Sequence, residues 1–387
     1  MSRPSAASRA MIERLIAFDT TSRNSNLDLI HHIRDYLADL GIESQLVHND
    51  DGSKANLYCT IGPKDVAGVA LSGHTDVVPI DAQDWRRDPW KVSEADGKLF
   101  GRGSCDMKSF IAVCLAFAPK FQAANLKMPV HFCFSFDEEV GCKGVRPLLE
   151  FLSRQAVQPR LAIIGEPTLM QVITGHKGKL TQTCHVQGFE CHSSLAPQGV
   201  NAVQYAAKLV DKLTEMADRK AAQGPFDPNY DVPHTTIHTG VISGGTAVNI
   251  VPKDCQFTFE FRLLPQDDGA LLFQEVKDYA ARELLPAMQA VRPETSITFE
   301  EYSSFPPLDT PIDHEVVALA KALSGANATS KVAFGTEAGL FSHAGIPAVI
   351  CGPGSIEQAH KPDEYITLEQ VALCEAFMER LRRHLSH

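Results

Sequence analysis

Apolar and polar residues follow two alternating patterns over the first 180 residues of the chain. Amphipathic stretches with helical spacing lie at 5–18, 27–40, 106–124 and 143–155. Between them are short apolar runs bounded by glycine, proline or charge, as is typical of buried strands, at 55–61, 68–72, 130–136 and 161–164. This alternation predicts an α/β fold with a mostly parallel sheet and helices on both faces.

The pattern changes near residue 180. Strands are predicted at 180–187, 235–241, 255–264 and 297–302, and helices at 200–218 and 268–288. In one of these strands Phe257, Phe259 and Phe261 alternate with polar residues, which is typical of an antiparallel sheet covered on one side. We therefore predict an inserted α+β domain with an antiparallel sheet.

The predicted domain boundaries follow from where the first pattern resumes. After Pro306 and Pro307 a helix is expected over 313–323, a strand over 348–351 and a helix over 368–385. The catalytic domain is thus predicted to consist of 1–179 and 305–387, and the inserted domain of 180–304.

Composition narrows the classes of function. The chain has 387 residues, 44% hydrophobic and 21% charged, with a net charge of −11. This acidic balance argues against nucleic-acid binding, which needs a surplus of Lys and Arg. No apolar run is long enough to span a membrane, and the N-terminal residues lack an apolar signal core. Ten cysteines without a Cys-x-x-Cys pair favour reduced thiols and a cytoplasmic location.

Histidines and acidic residues stand in five separate segments. They are Gly73-His74-Thr75-Asp76, Gly103-Ser104-Cys105-Asp106, Phe136-Asp137-Glu138-Glu139, Gly165-Glu166-Pro167 and Gln358-Ala359-His360-Lys361-Pro362. Three of the segments follow predicted strands, and ligands of such sheets bind beyond the carboxyl ends of the strands. Nitrogen and oxygen ligands of this kind can hold two metal ions, which activate water for hydrolysis. The pattern predicts a metal-dependent amide hydrolase.

Each segment alone also has an ordinary explanation. Asp106 suits the N-cap of a helix equally well, and His74 and His360 suit polar loops. Glu166 is equally compatible with a surface carboxylate at a strand end, and the acidic run at 137–139 with a solvated loop. Only the combination of the segments in one alternating domain favours a metal site.

The segments extend into six longer motifs. The motifs are Ser72-Gly-His-Thr-Asp-Val-Val-Pro79, Phe100-Gly-Arg-Gly-Ser-Cys-Asp-Met-Lys108, Ser135-Phe-Asp-Glu-Glu-Val-Gly141, Gly165-Glu-Pro-Thr168, Gly335-Thr-Glu-Ala-Gly-Leu340 and Cys351-Gly-Pro-Gly-Ser-Ile-Glu-Gln-Ala-His-Lys-Pro-Asp-Glu364. Over nearly the whole chain they resemble the dinuclear metal-dependent aminoacylase and carboxypeptidase superfamily, and within it most closely the bacterial acetylornithine deacetylase group. Relatives that remove succinyl groups from diaminopimelate differ around the last two motifs, which favours the deacetylase group.

The resemblance implies a role for each matching residue. The implied roles are Asp106 as the bridge between two metal ions, His74 and Glu166 as ligands of one ion, Glu139 and His360 as ligands of the other, Glu138 as general base, and Asp76 as the group that orients His74. Zinc is the expected metal, and cobalt or manganese suits the same ligands.

The inserted domain carries further matches. Family members use the histidine that corresponds to His192 near the scissile carbonyl, often from the partner subunit of a dimer, where it suits stabilisation of the oxyanion. Arg262 suits a substrate carboxylate, and Asn249 suits placement of the substrate. A surface histidine and a plain salt bridge are the alternatives for His192 and Arg262. The resemblance implies a lid or dimerisation role for this domain and a homodimer.

The expected reaction is hydrolysis of N-acetyl-L-ornithine to L-ornithine and acetate, a step of arginine biosynthesis. A succinyl-diaminopimelate desuccinylase and a broad N-acyl-amino-acid hydrolase are the alternatives within the enzyme class. A non-catalytic metal-binding relative is the alternative outside it, and the presence of Glu138 argues against it.

Overall fold

The structure, a computed structural model, describes residues 3–387. The chain divides into two compact units. The first unit contains the chain up to Gly175 together with Leu308–Lys331 and Thr336–His387, and the second contains His176–Pro307 with Val332–Gly335.

The strands are numbered in chain order. They are β1 (Ser44–His48), β2 (Ala55–Ile61), β3 (Val69–His74), β4 (Ser93–Ala95), β5 (Lys98–Phe100), β6 (Val130–Ser135), β7 (Leu161–Pro167), β8 (Val172–His176), β9 (Gly178–Gln187), β10 (Thr236–Gly244), β11 (Asp254–Leu263), β12 (Ser296–Phe305), β13 (Leu308–Asp309), β14 (Thr329–Val332), β15 (Ala348–Gly352) and β16 (Tyr365–Thr367).

The helices are numbered in the same way. They are α1 (Ala6–Ile16), α2 (Leu27–Asp39), α3 (Lys108–Gln122), α4 (Val145–Ser153), α5 (Ala202–Gln223), α6 (Gly269–Tyr279), α7 (Leu285–Val291), α8 (Glu315–Ser324), α9 (Ala338–His343) and α10 (Leu368–Leu385). Short 3₁₀ helices lie at Ser193–Gln198 and Ile356–Gln358.

The large sheet has the strand order β1-β2-β6-β3-β7-β15-β8-β13, and β14 pairs with β8. The central strands β6, β3, β7 and β15 run parallel. At the edges, β1 and β2 pair in antiparallel fashion and β8 runs antiparallel to β15. The predicted α/β fold with a mostly parallel sheet is therefore confirmed.

Helices cover both faces of this sheet. On one face, the Phe132 ring of β6 packs against Phe121 of α3, and their ring centroids are 6.5 Å apart. On the other face, the Tyr58 ring of β2 lies 5.7 Å from Phe151 of α4. Successive residues of a strand point to opposite faces, so a strand buried on both sides reads as a continuous apolar run. This is why the central strands were predictable from the sequence.

A four-stranded antiparallel sheet in the order β10-β11-β9-β12 forms the centre of the second unit. Phe257, Phe259 and Phe261 of β11 are buried in a cluster with residues of α5 and α6. The helix predicted over 268–288 is interrupted by a π-helical turn at Ala280–Leu284. Pro286 lies in the first turn of α7, where its missing N–H cannot continue the hydrogen-bond ladder, and the break lies just before it.

Between residues 3 and 387, no helix combines the length and the apolar character needed to span a membrane.

Candidate active site

Three neighbouring strands bring acidic and histidine side chains to one edge of the large sheet. His74 is the last residue of β3 and pairs with Ser135, the last residue of β6. The loop with Glu138 and Glu139 therefore begins beside His74. On the other side of β3, β7 ends with Glu166 and Pro167. Because these strands are parallel, their carboxyl ends meet at the same edge.

Asp106 lies in the loop that precedes α3. The helix begins at Lys108 with Met107 as its N-cap, so the predicted helical start at 106 is wrong by two residues. The backbone amide of Asp106 donates a hydrogen bond to Oε1 of Glu364 over 3.1 Å. Asp106 thus does not serve as the helix cap, and its carboxylate is free to face other groups.

The two oxygens of Asp106 face two different imidazoles. Oδ1 lies 2.9 Å from Nε2 of His74, and Oδ2 lies 3.3 Å from Nε2 of His360. His74 Nε2 is also 3.6 Å from Oε1 of Glu166, and His360 Nε2 is 3.0 Å from Oε2 of Glu139. The five residues therefore form two groups that share Asp106.

Burial differs between the two groups. His74, Asp106 and Glu166 are buried, whereas the His360 side chain is 51% exposed. His360 also has a backbone φ of 62°, in the left-handed region that few residues other than glycine adopt. The group around His74 is thus enclosed by the sheet, and the group around His360 depends on an open loop.

Burial, together with the crowding of carboxylates, raises the pKa values of several carboxyl groups. Burial, reinforced by Glu139, raises the pKa of Glu138 to about 8. Burial together with Asp106 raises the pKa of Glu139 to about 7, and the same two causes raise the pKa of Glu166 well above its ordinary value. Like charges this close disfavour ionisation, so the cluster favours a cation or protons among its oxygens.

The pKa values of the two histidines are raised as well, which favours their charged form, whereas a raised carboxyl pKa favours the neutral form. Burial works against a charged His74, yet Glu166 and a hydrogen bond to Asp106 raise its pKa well above the usual value. Hydrogen bonds to Asp106 and Glu139 raise the pKa of His360 to about 10. Acidic charge exceeds basic charge in the cluster, which is the electrostatic condition for holding divalent cations.

The donor set also fits metal ions. Ligand atoms of His74, Asp106 and Glu139 lie within 4.8 Å of one another, as do those of His74, Glu138 and Glu166. Oε1 of Glu166 is buried and has no hydrogen-bond partner in the described part of the chain. A buried carboxylate oxygen without a donor is costly unless a cation compensates it. The cluster is therefore a candidate metal-binding group of residues.

Comparison with known families gives the class of this site. Residues 70–384 match the profile described as Peptidase family M20/M25/M40. The chain belongs to this family. The resemblance expected from the sequence motifs is confirmed, and the chain is a hydrolase.

Curated relatives of this M20-family chain have a consistent name. The acetylornithine deacetylase of Proteus mirabilis is 35% identical over 91% of this chain and 88% of its own length. The acetylornithine deacetylase of Myxococcus xanthus is 35% identical over 98% of this chain and 97% of its own length. These relatives and the family support metal-dependent amide hydrolysis.

Solved structures agree in fold. A metallo-carboxypeptidase of the M20 family from Sulfolobus solfataricus superposes with a TM-score of 0.77, at 18% identity and 99% and 100% coverage of the two chains. The Bacillus subtilis YXEP protein, described as a dinuclear metal-binding peptidase of the M20 family, gives a TM-score of 0.64 at 15% identity and 97% and 98% coverage. At these identities the likeness concerns the fold alone.

Two buried carboxylates of this M20-family chain, Glu337 and Glu364, accept hydrogen bonds from the strands and the loop that carry candidate ligands. The sequence patterns did not assign them a role. Glu337 accepts hydrogen bonds from the hydroxyls of Ser135 and, over 3.2 Å, Ser72, which lie on β6 and β3. Burial raises the pKa of Glu337 to about 7. Glu364 accepts backbone amides of the Asp106 loop. The only sequence signal was their position inside two matching motifs.

The remaining predicted site residues lie in the second unit. His192 is exposed, its Nδ1 lies 2.8 Å from Oγ of Ser194, and it forms a β-bridge with Ile250, the residue after Asn249. Arg262 of β11 donates from Nε to Oε1 of Glu260 over 2.9 Å. The structure thus places His192 and Asn249 near each other, and it contains the salt bridge that is the alternative for Arg262.

Proposed function

We propose that this chain hydrolyses the amide bond of N-acetyl-L-ornithine, releasing L-ornithine and acetate for arginine biosynthesis. The observation that carries the proposal is the position of Asp106 between two imidazoles, 2.9 Å from Nε2 of His74 and 3.3 Å from Nε2 of His360. A carboxylate with a nitrogen ligand opposite each oxygen suits a pair of divalent cations.

In this proposal Asp106 would contribute to holding both of two metal ions. His74 and Glu166 would hold the first ion with it, and Glu139 and His360 would hold the second. Zinc is the expected metal, with cobalt as the alternative, because nitrogen and carboxylate ligands suit both. When bound, the ions lower the pKa of water and polarise the scissile carbonyl.

Glu138 is the proposed general base. It takes the proton of the attacking water and delivers it to the leaving amine. Burial, reinforced by the neighbouring carboxylates, raises the pKa of Glu138 to about 8, and a raised pKa favours a group that gains a proton during the reaction. Cys142 supports its orientation, since its amide donates to the Glu138 carbonyl over 2.8 Å and its thiol lies 3.3 Å from Oε1.

Residues of the second unit are proposed to bind the substrate. Arg262 holds the α-carboxylate, Asn249 positions the substrate, and His192 stabilises the oxyanion. A basic neighbourhood supports the role of Arg262. Burial and the nearby Arg262 lower the pKa of Lys177, as expected where positive charges lie together.

A homodimer through the second unit is part of the proposal. Strand β10 is an edge of its sheet, and Val241 and Ile242 on it are 65% and 52% exposed. Exposed apolar edge strands favour pairing with another strand. A dimer in solution at micromolar concentration, lost on Ile242→Lys, is the expected behaviour in light scattering. A monomeric wild-type protein contradicts it.

The test of the function is acetate release from N-acetyl-L-ornithine. The purified protein is assayed after chelation and again after addition of zinc or cobalt, beside N-succinyl-diaminopimelate and N-acetyl-methionine. Activity that metal restores and that is highest on N-acetyl-L-ornithine supports the proposal. Preference for another N-acyl amino acid keeps the mechanism and rejects the substrate. Two bound ions without hydrolysis of any of them reject the enzyme.

A further inference from the structure

Arg102 and Glu364 form a buried ion pair next to the loop that carries Asp106. The side chains of Arg102 and Glu364 are each 1% exposed, and Nη1 of Arg102 donates to Oε2 of Glu364 over 2.7 Å. Taking two charges out of water costs free energy, and an apolar pair of similar size often stabilises a fold as well or better. The stability of the core therefore does not explain this pair.

Glu364 organises the backbone of the loop that carries Asp106. Its Oε1 accepts the amides of Cys105 at 2.8 Å and Asp106 at 3.1 Å, and its Oε2 accepts the amide of Gly103 at 3.1 Å. Its own carbonyl accepts the amide of Gly101 at 3.0 Å. An apolar side chain at 364 has no acceptor for these donors, which would be buried without partners.

Arg102 connects the same carboxylate to the loop that carries His360. Its Nη2 donates to Oε1 of Gln83, and Nε2 of Gln83 donates to the backbone carbonyl of His360 over 2.9 Å. The guanidinium carbon of Arg102 lies over the Trp85 ring, 4.9 Å from the ring centroid. The backbone of His360 needs this hydrogen bond from Gln83, because a φ of 62° at a residue other than glycine persists only when the surrounding structure holds it.

We propose that Arg102, Glu364 and Gln83 are positioning residues that fix the spacing between Asp106 and His360 and thereby set the affinity for the second metal ion. This inference rests on the two-ion site of the proposed function. In the proposed site the second ion would depend on Glu139 and on two loop residues, Asp106 and His360, which Arg102, Glu364 and Gln83 (the clamp) hold. The first ion would share Asp106 but would also have two ligands, His74 and Glu166, at the ends of β3 and β7.

The experiment is a titration of the metal-free protein with Co²⁺, followed by calorimetry and by visible absorption of the bound cobalt. Wild type should show two binding steps, and the step that His360→Ala removes identifies the second ion. Glu364→Gln places an amide N–H₂ among N–H donors, so we expect that step to weaken about 10–100-fold and the first step, which shares Asp106, to weaken by a smaller factor.

Gln83→Ala provides a variant that leaves the buried ion pair in place. Gln83 is only half-buried, and its loss should weaken the second step in the same direction by a smaller factor. Gln158→Ala is the matched control, because Gln158 also donates from Nε2 to a backbone carbonyl, that of Ser153 at 3.3 Å, outside the cluster. Both steps should stay at their wild-type affinities in this control.

The outcomes separate the clamp from the proposed function. Two wild-type steps with an unchanged second step in Gln83→Ala overturn the clamp alone. Equal weakening of both steps in Glu364→Gln, with a lower Tm of the metal-free protein, indicates a general structural role and also overturns it. A single step in the wild type overturns the two-ion site, and the inference falls with it.

Discussion

The backbone amide of Glu138 donates a hydrogen bond to Oδ1 of Asp76 over 3.1 Å. The amide of Glu139 donates to Oδ2 over 3.3 Å, and the hydroxyl of Ser22 donates to the same oxygen over 2.7 Å. Nδ1 of His74 lies 2.9 Å from the backbone carbonyl of Asp76 and 3.5 Å from its carboxylate. The carboxylate of Asp76 thus supports the loop with the proposed base, and its carbonyl accepts from the imidazole.

The first prediction concerns Asp76→Asn. We expect kcat to fall about 10–100-fold at saturating metal, because an amide N–H₂ would face backbone N–H donors and displace Glu138 and Glu139. Steady-state kinetics with bound metal measured in parallel test this. Asp65→Asn, at an exposed position, is the control. Wild-type kcat in Asp76→Asn would show that the loop keeps its position without this carboxylate.

The second prediction concerns Glu138→Gln. Loss of the proposed base should lower kcat about 10²–10⁴-fold, because general acid–base catalysis contributes this much. Metal content by mass spectrometry should stay at the wild-type level, since Glu138 is not a proposed ligand. Glu150→Gln, on the exposed face of α4, is the matched control. Near-normal turnover in Glu138→Gln would assign the proton transfer to another group.

The candidate ligands on strands were predictable because each follows an apolar run. His74 and Glu166 come at the ends of the runs that form β3 and β7, and parallel strands bring their carboxyl ends together. Local sequence thus contains the information needed for this half of the cluster. The helix start was misplaced at Asp106 because an acidic residue before an apolar stretch is also typical of an N-cap.

The supporting carboxylates were not predictable by this route. Glu364 is 258 residues from Asp106 in the sequence, and Glu337 is 265 residues from Ser72. Neither lies in a periodic pattern that indicates its partner. Hydrogen bonds of this separation arise only when the sheet and its loops assemble, so sequence periodicity contains no signal for them.

The third prediction concerns pH and the buried His131 of β6. Its Nδ1 lies 2.9 Å from the Tyr58 hydroxyl and 3.0 Å from that of Thr60, and burial lowers its pKa to about 4. The unfolded chain keeps a histidine pKa near ~6.5 and binds the proton more strongly. His131 therefore contributes stability above about pH 6.5, and this is lost as the pH falls toward about 4, by up to about 3 kcal/mol.

Urea unfolding with chelator present at pH 7 and pH 5 measures this effect. His131→Gln removes the titrating group, so its free energy of unfolding should fall less between the two pH values than that of wild type. His48→Gln replaces an exposed histidine and serves as the control. An equal fall in wild type and His131→Gln would show that His131 does not take up the proton on unfolding.

The fourth prediction concerns Arg262 and the substrate carboxylate. Hydrogen bonds to charged groups contribute about 1.5–3 kcal/mol each, so Arg262→Ala should lower kcat/KM for N-acetyl-L-ornithine about 10–100-fold. The substrate carboxamide lacks the charge that Arg262 is proposed to bind, and its kcat/KM should change little. The ratio of the two kcat/KM values therefore distinguishes binding of the substrate carboxylate by Arg262 from a purely structural salt bridge to Glu260.

The same ratio distinguishes substrate binding from damage to the second unit. Arg219→Ala is the matched control, because Arg219 makes two hydrogen bonds to Glu275, at 3.0 and 2.6 Å, between α5 and α6. It removes an arginine–carboxylate pair from the same unit and should leave the ratio at the wild-type value. If Arg262→Ala lowers kcat/KM equally for the carboxylate and the carboxamide, Arg262 acts through its bond to Glu260, and the substrate carboxylate is bound elsewhere.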